Sequence, residues 1–260
     1  MDTRTRIESL LCEEALPTVW CPGCGIGTVL FAILEAIKHK SLNEAQIRLV
    51  SGIGCAGKVA EVIKLKTHSF NDGYVIKHAL RIKKNHPDSF VLAVLNNPDF
   101  LLSGARDFHE ACAAGARLIV VYLNNFIYAA SKDRVRPITP FMRKSFDGKH
   151  DLPFNIPYLA DTCGAAYIAR WTPLRAGWLK YAFVDAFDRK GFSVIEVVSP
   201  CLIYNANSGR IQDTIERMVF YNDNTEISMG KSLEALDLRK QKKIIVGKFV
   251  DRELDRNRAE

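Results

Sequence analysis

Cysteine is the residue type in this sequence whose number and spacing point most directly to chemistry. The chain has seven cysteines, and clustered thiols in a reducing compartment more often bind metal or do redox work than form disulfides. Residues 20–25 (WCPGCG) form a C-x-x-C turn, whose Pro and Gly let both sulfur atoms face one ion or cluster. Thiolate sites need about four sulfur atoms. Cys55 and Cys201 are the natural candidates for the other two, because each lies in a Gly- or Pro-flanked turn after a predicted strand.

Spacing alone leaves three interpretations of these cysteines open. A four-iron cluster suits an intracellular setting and the lack of paired histidines. A structural zinc site more often shows two closely spaced pairs than one pair and two single cysteines. A thioredoxin-like motif would follow a strand, and the sequence predicts no strand before Trp20. Cys112 and Cys163 lie among small residues, as cysteines packed in helices do.

The elements that would position these cysteines alternate between strand and helix. Helical patterns cover residues 26–39, 75–84, 108–114, 155–168 and 175–188, and compact runs suited to buried strands cover 48–51, 90–95, 118–123 and 192–198. This alternation predicts an α/β fold, a parallel sheet with helices on both faces. In such sheets the chemistry lies in loops at the carboxyl ends of the strands. The segment 132–157, rich in proline and charge, is predicted to be a long loop over a site.

Composition and charge exclude several classes of protein. The chain has 260 residues, of which 48% are hydrophobic and 25% charged, as in ordinary globular proteins. We expect a cytoplasmic protein that does not enter a membrane, because no apolar run is long enough to span one and the N-terminus lacks the apolar core of a signal peptide. The net charge of +7 is more often simply a solvated surface, and it would also suit an acidic protein such as ferredoxin, coenzyme A or nucleic acid as a partner. No aromatic-interleaved basic motif or zinc finger supports nucleic-acid binding.

Six segments, in order along the chain, resemble the β subunit of 2-oxoacid:ferredoxin oxidoreductases, the family that acts on pyruvate, 2-oxoglutarate and related acids. They are TVWCPGCG (18–25), VSGIGC (50–55), LNNFIY (123–128), RPITP (136–140), ADTCGAAYIAR (160–170) and KGFSVIEVVSPC (190–201). The similarity is colinear from about residue 16 to residue 205.

The resemblance implies a thiamine-diphosphate-binding fold over residues 1–205 and a partly irregular C-terminal extension over residues 206–260. In short members of the family the β subunit carries a four-iron cluster on four cysteines, which map onto Cys21, Cys24, Cys55 and Cys201. The implied partners are an α subunit, ferredoxin, coenzyme A and a 2-oxoacid. The implied reaction is oxidative decarboxylation of the 2-oxoacid to acyl-CoA, with the electrons leaving through the cluster to ferredoxin.

The family also binds thiamine diphosphate through magnesium, and part of that site is matched here. Asn125 and the carbonyl of Ile127 match metal-ligand positions, and Gly54 and Thr139 match positions beside the cofactor. The resemblance therefore predicts these four residues as cofactor contacts.

Other parts of the family's cofactor site have changed. Asn97 stands in place of the aspartate ligand of a Gly-Asp-Gly-Asp motif, and Pro98 replaces a glycine, which leaves Asp99 to supply the lost charge. Residues 71–73 (NDG) replace a His-Gly-Arg turn, and residues 131–133 (SKD) replace a Gly-Gly. Magnesium prefers anionic oxygen ligands, and proline lacks an N–H that could hold a phosphate. These changes favour an alternative function, a non-catalytic paralogue that serves as a structural or electron-relay subunit.

Overall fold

The chain is built around one large sheet. The computed structural model describes residues 7–128, 136–137, 155–201, 214–238 and 241–252. The strands are β1 (Ile47–Ser51), β2 (Lys66–Ser69), β3 (Phe90–Asn96), β4 (Ile119–Asn124), β5 (Ile127–Tyr128), β6 (Arg136–Pro137), β7 (Tyr167–Trp171), β8 (Ser193–Val198), β9 (Thr225–Ile227) and β10 (Ile244–Asp251).

Helices connect most of these strands. They are α1 (Ile26–His39), α2 (Gly54–Gly57), α3 (Val59–Val62), α4 (Val75–Asn85), α5 (Asn97–Asp99), α6 (Ala105–Ala113), α7 (Ile156–Thr162), α8 (Ala176–Asp188) and α9 (Thr214–Asp223). A π-helical segment, Phe100–Gly104, joins α5 to α6. Within the described ranges, no helix combines the length and the apolar character needed to cross a membrane.

Eight strands form the sheet in the order β2-β1-β3-β4-β8-β7-β10-β9, and β5 and β6 form a separate pair. The first six strands in this sheet order, β2, β1, β3, β4, β8 and β7, run parallel to one another. Strand β10 then pairs antiparallel with β7, and β9 pairs parallel with β10. The chain passes from β1 to β2 on one side and returns to β3 on the other side of β1. The loops after β1 and β3 therefore leave the sheet side by side at a topological switch point, where α/β proteins bind ligands.

The parallel strands are buried because helices cover both faces of the sheet. In β3, Leu92 and Val94 pack into the core that contains α1 and α8. Val91 and Ala93 point to the opposite core, which contains α4, α6 and α7. This alternation follows from the two-residue period of a strand. All residues of β4 and β8 are buried.

The predicted parallel α/β sheet with helices on both faces is confirmed, and two details differ from the sequence patterns. The helix predicted over 155–168 ends at Thr162, because Gly164 has a positive φ of 86° and the chain then enters β7 beside β8. The extension after residue 205 contributes α9, β9 and β10, so part of it belongs to the main sheet. The domain boundary near residue 205 stays a prediction. Most of the predicted 132–157 loop lies outside the described residues.

Candidate functional site

The C-x-x-C turn lies immediately before α1 and is shaped by two glycines in the left-handed region. Gly23 has φ 87° and Gly25 has φ 84°, and the N–H of Cys24 donates to the carbonyl of Cys21 at 3.1 Å. A Cβ atom on Gly25 would lie 2.3 Å from Cγ of Pro173, before α8, so only glycine fits there. The packing of α1 against α8 therefore fixes the position of the turn.

Two distant segments complete the group of thiols. Cys55 lies in α2, just after β1, and the indole Nε1 of buried Trp20 donates to its carbonyl at 3.0 Å. Cys201 follows β8, whose end is tied to β4 by the Ser199 N–H bond to the Asn124 carbonyl at 3.0 Å. The structure therefore brings the C-x-x-C turn, the β1 loop and the β8 loop to one edge of the sheet.

Electrostatics show that the four thiols are neighbours. The pKa of the Cys24 thiol is raised to about 11, mainly by burial and in smaller part by the nearby Cys21, Cys55 and Cys201, against the lowering effect of the Ile26 N–H. The pKa of the Cys55 thiol is raised by desolvation around its sulfur atom and by Cys201 and Cys21, although the residue as a whole is exposed. Among the described residues, no three His, Cys, Asp or Glu side chains converge as they would around a single ion. In a four-iron cluster each thiolate binds a different iron, so a cluster demands less convergence than one ion does.

The predicted thiamine site begins at the carboxyl end of β3 with a turn that caps its own helix. The side chain of Asn96 accepts the N–H of Asp99 at 3.1 Å, and the carboxylate of Asp99 accepts the N–H of Asn96 at 3.1 Å. This reciprocal pair is a capping box, and Pro98 lies within the first turn. The turn thus satisfies N–H groups that a helix N-terminus would otherwise offer to an anion.

The same turn closes onto the loop after β1. The Ile53 N–H donates to the Asp99 carboxylate at 3.0 Å, and Nδ2 of Asn96 donates to the Ile53 carbonyl at 2.8 Å. The pKa of the Asp99 carboxyl is raised to about 6, mainly by burial and in smaller part by the charge of Asp72, against the lowering effect of the Ile53 and Asn96 N–H groups.

Asn97, the residue in the aspartate's place, belongs to a buried polar network. Its Nδ2 donates to the Tyr122 hydroxyl at 2.9 Å and to Oδ1 of Asn124 at 3.1 Å. Its Oδ1 accepts the Asn125 N–H at 3.2 Å. Because a backbone N–H can only donate, this last bond fixes the orientation of the amide.

The network continues to a charged pair in the centre of the sheet. Nδ2 of Asn124 donates to Glu196 at 2.7 Å, and Glu196 accepts from Nε of Arg170 at 2.7 Å. Both charged side chains are fully buried, on paired positions of β7 and β8. The sequence analysis did not select either residue, although a charge inside an apolar strand pattern was a signal that could have found them.

The other predicted contacts that the structure describes, Gly54, Asn125 and Ile127, lie beside the 96–99 turn. Gly54 has φ 61° and immediately precedes Cys55. Asn125 is half-buried after β4, and Ile127 pairs with Pro137 in the small β5–β6 ladder. Thr139 lies outside the described residues.

A histidine–aspartate pair lies at the 71–73 turn, where the family has its His-Gly-Arg turn. Nε2 of His78, in α4, lies 2.7 Å from Oδ2 of Asp72, and the imidazole stacks on Phe70 with ring centroids 3.6 Å apart. The bond to His78 lowers the pKa of Asp72. The sequence analysis did not identify this pair, because its members come from different elements.

The residues present do not fit magnesium diphosphate bound in the family's manner. A carboxylate offers two anionic oxygens to a metal, whereas Asn97 offers one neutral oxygen that already accepts a backbone N–H. Pro98 has no N–H, and the Asp99 N–H is bonded to Asn96.

Comparisons with known proteins agree with this architecture. The family described as "Thiamine pyrophosphate enzyme, C-terminal TPP binding domain" matches residues 52–197. The "2-oxoglutarate synthase subunit KorB" of Archaeoglobus fulgidus is 34% identical over 191 residues, which cover 72% of this chain and 71% of the relative. The protein of the same description from Methanocaldococcus jannaschii is 30% identical over 92% of this chain and 89% of its own length.

A solved structure shares the fold. It is a 2-oxoglutarate:ferredoxin oxidoreductase from Magnetococcus marinus with 2-oxoglutarate, coenzyme A and succinyl-CoA bound. Its TM-score is 0.76 at 21% identity, and the match covers 96% of this chain and 86% of the solved chain.

Proposed function

The chain belongs to the family of 2-oxoacid:ferredoxin oxidoreductase β subunits and carries a thiamine pyrophosphate enzyme domain, and from this membership we propose its function. It serves as the β subunit of such an oxidoreductase complex, where its four cysteines hold a four-iron cluster that passes electrons to ferredoxin. In this family a 2-oxoacid and coenzyme A give acyl-CoA and carbon dioxide, and two electrons leave through iron–sulfur centres.

The observation that carries the proposal is the group of thiols at one edge of the sheet. Cys21, Cys24, Cys55 and Cys201 come from three separate segments and lie close enough for their charges to interact. The first, second and fourth are half-buried, and Cys55 is exposed. Because burial and mutual repulsion disfavour several thiolates together, a cationic cluster would relieve the repulsion. Exposure on one side would let electrons leave to a second protein.

Charge and family membership support the partners. The net charge of +7 favours an acidic electron acceptor such as ferredoxin. The β-subunit names of the relatives support an α subunit as the partner within the complex. Coenzyme A and the 2-oxoacid would bind to the assembled complex. The chain's own share of the reaction is electron relay and subunit contact, since its residues 96–99 do not fit the thiamine cofactor.

Anaerobic metal analysis tests the cluster. We expect about four irons and matching sulfide for each chain, and Cys24→Ser should remove most of the iron and the visible iron–sulfur absorption. The matched control is Cys163→Ser, because Cys163 is also half-buried but lies outside the thiol group. Zinc without iron in the wild type, or equal iron in the two variants, would contradict the proposal.

A further inference from the structure

The turn at residues 96–99 uses the chain's own groups where a bound cofactor would be expected. We infer that this turn fills the cradle in which the family's domain holds magnesium diphosphate, so that this subunit does not bind thiamine diphosphate. The inference rests on the family membership in the proposed function but not on the iron–sulfur cluster.

The first step concerns the donors that an anion needs. Helix N-termini bind phosphates through free N–H groups. Here Pro98 supplies no N–H, and the N–H groups of Asp99 and Asn96 are bonded within the turn at 3.1 Å each. The helix that begins at Asn97 therefore presents an N-terminus that is capped from within.

The second step concerns the space at the switch point. A Cβ atom on Gly52 would lie 2.1 Å from Oδ2 of Asp99, so the carboxylate lies directly against the backbone of the β1 loop. The same carboxylate accepts the Ile53 N–H at 3.0 Å. This carboxylate, which aligns with the second aspartate of the family's Gly-Asp-Gly-Asp motif, therefore holds the turn against the β1 loop and keeps it in its capped form.

The third step concerns the metal. Both hydrogens of the Asn97 amide are used, by Tyr122 and Asn124, and its oxygen accepts the Asn125 N–H. Asn97 is fully buried. Magnesium requires several oxygen ligands in near-octahedral geometry, and here the principal ligand position has become part of the protein's internal network.

These three features have one consequence. The switch point is closed by hydrogen bonds within the chain, without a ligand. The subunit can therefore support the fold, the thiols and the contact with a partner, while thiamine chemistry takes place on another chain of the complex or not at all.

Calorimetry on the full chain, purified anaerobically and free of other subunits, tests the inference. Thiamine diphosphate is titrated in magnesium buffer, with EDTA as the metal control. We expect no magnesium-dependent binding by the wild type. The triple variant Asn96→Gly, Asn97→Asp, Pro98→Gly, which restores the family's motif, should gain magnesium-dependent binding. Its affinity should be at least roughly a hundredfold tighter than that of the wild type. The surface variant Asn222→Asp, on exposed α9, should behave as the wild type does.

Each outcome decides the matter. Magnesium-dependent binding by the wild type would overturn the inference. A folded revertant that still does not bind would overturn the assignment of the loss to this turn. If the revertant does not fold, the melting temperature of the wild type is measured with and without thiamine diphosphate and magnesium. An unchanged melting temperature supports the inference, and a rise of several degrees refutes it. Iron measured in the same samples separates this result from the cluster proposal.

Discussion

Replacing Glu196 with glutamine should destabilise the chain strongly, because it removes the only negative charge bonded to Arg170 among the described residues. Nε of Arg170 donates to Glu196 at 2.7 Å and Nη1 donates to the Leu236 carbonyl at 3.0 Å, while Nη2 has no hydrogen-bond partner within the described part of the chain. Neither side chain is exposed at all. Glutamine keeps the size of the side chain and leaves a buried cation without its counter-charge.

The magnitude follows from the burial. Breaking a fully buried ion pair by removing one partner costs about 3–5 kcal/mol. For a chain of this size each kcal/mol lowers the melting temperature by roughly 2–4 °C, so we expect a fall of roughly 6–20 °C. Glu110→Gln is the matched control, because the Arg106–Glu110 pair has side chains that are 85% and 56% exposed. Its loss should cost less than about 1 kcal/mol.

Anaerobic thermal unfolding followed by circular dichroism measures the difference. A second variant, Arg170→Met with Glu196→Gln, removes both charges and keeps an amide oxygen for Asn124, which bonds to Glu196 at 2.7 Å. It should recover most of the lost stability, because the cost arises from the unpaired charge. The reasoning fails if Glu196→Gln melts within a degree or two of Glu110→Gln, or if the double variant is no better than the single one.

Two further predictions concern the closed switch point. Gly52→Ala should cost about 2–3 kcal/mol in the free energy of unfolding. The added Cβ atom would lie 2.1 Å from Oδ2 of Asp99 and would push the carboxylate away from the two N–H groups that it accepts. Gly177→Ala, with nothing within 4 Å in a helix, should be neutral or stabilising in the same denaturant titration. Asp99→Asn tests the pKa that burial raises to about 6 from 3.8. The folded wild type binds this proton more tightly than the unfolded chain, so its stability relative to Asp99→Asn should rise by about 1.4 kcal/mol from pH 7.5 to pH 5.0. A constant difference across that range would show that the carboxyl does not titrate as described.

The positions of the thiols follow closely from the sequence because they depend on local rules. A C-x-x-C turn with two glycines needs only its own residues to curl, and Cys55 and Cys201 follow apolar runs that form the buried strands β1 and β8. Loops after parallel strands leave the sheet at the same edge. The predicted strands were therefore enough to place these cysteines at the same edge of the sheet, without knowledge of any contact.

The polar network and the last strand could not be predicted in the same way. Whether Arg170 faces Glu196 depends on the pairing of β7 with β8, which single-sequence patterns do not specify. The antiparallel addition of β10 to β7 depends on a return of the chain after the extension. The bond between Asp72 and His78 likewise depends on where α4 packs. Long-range pairing decides these features, and periodicity reports only which face is apolar.

Burial raises the pKa at both candidate sites, and the switch point is distinguished by polar side chains that bond to one another and to the backbone. At the thiol group, burial and neighbouring cysteines raise the pKa of Cys24 to about 11, so the ionised state is disfavoured until a cation arrives. At the switch point, Asp99 accepts two backbone N–H groups and the Asn97 amide is engaged at both ends. The proposed cluster site would therefore gain from a cation, whereas a diphosphate bound at the Asn96–Asp99 turn would have to break the bonds that cap it.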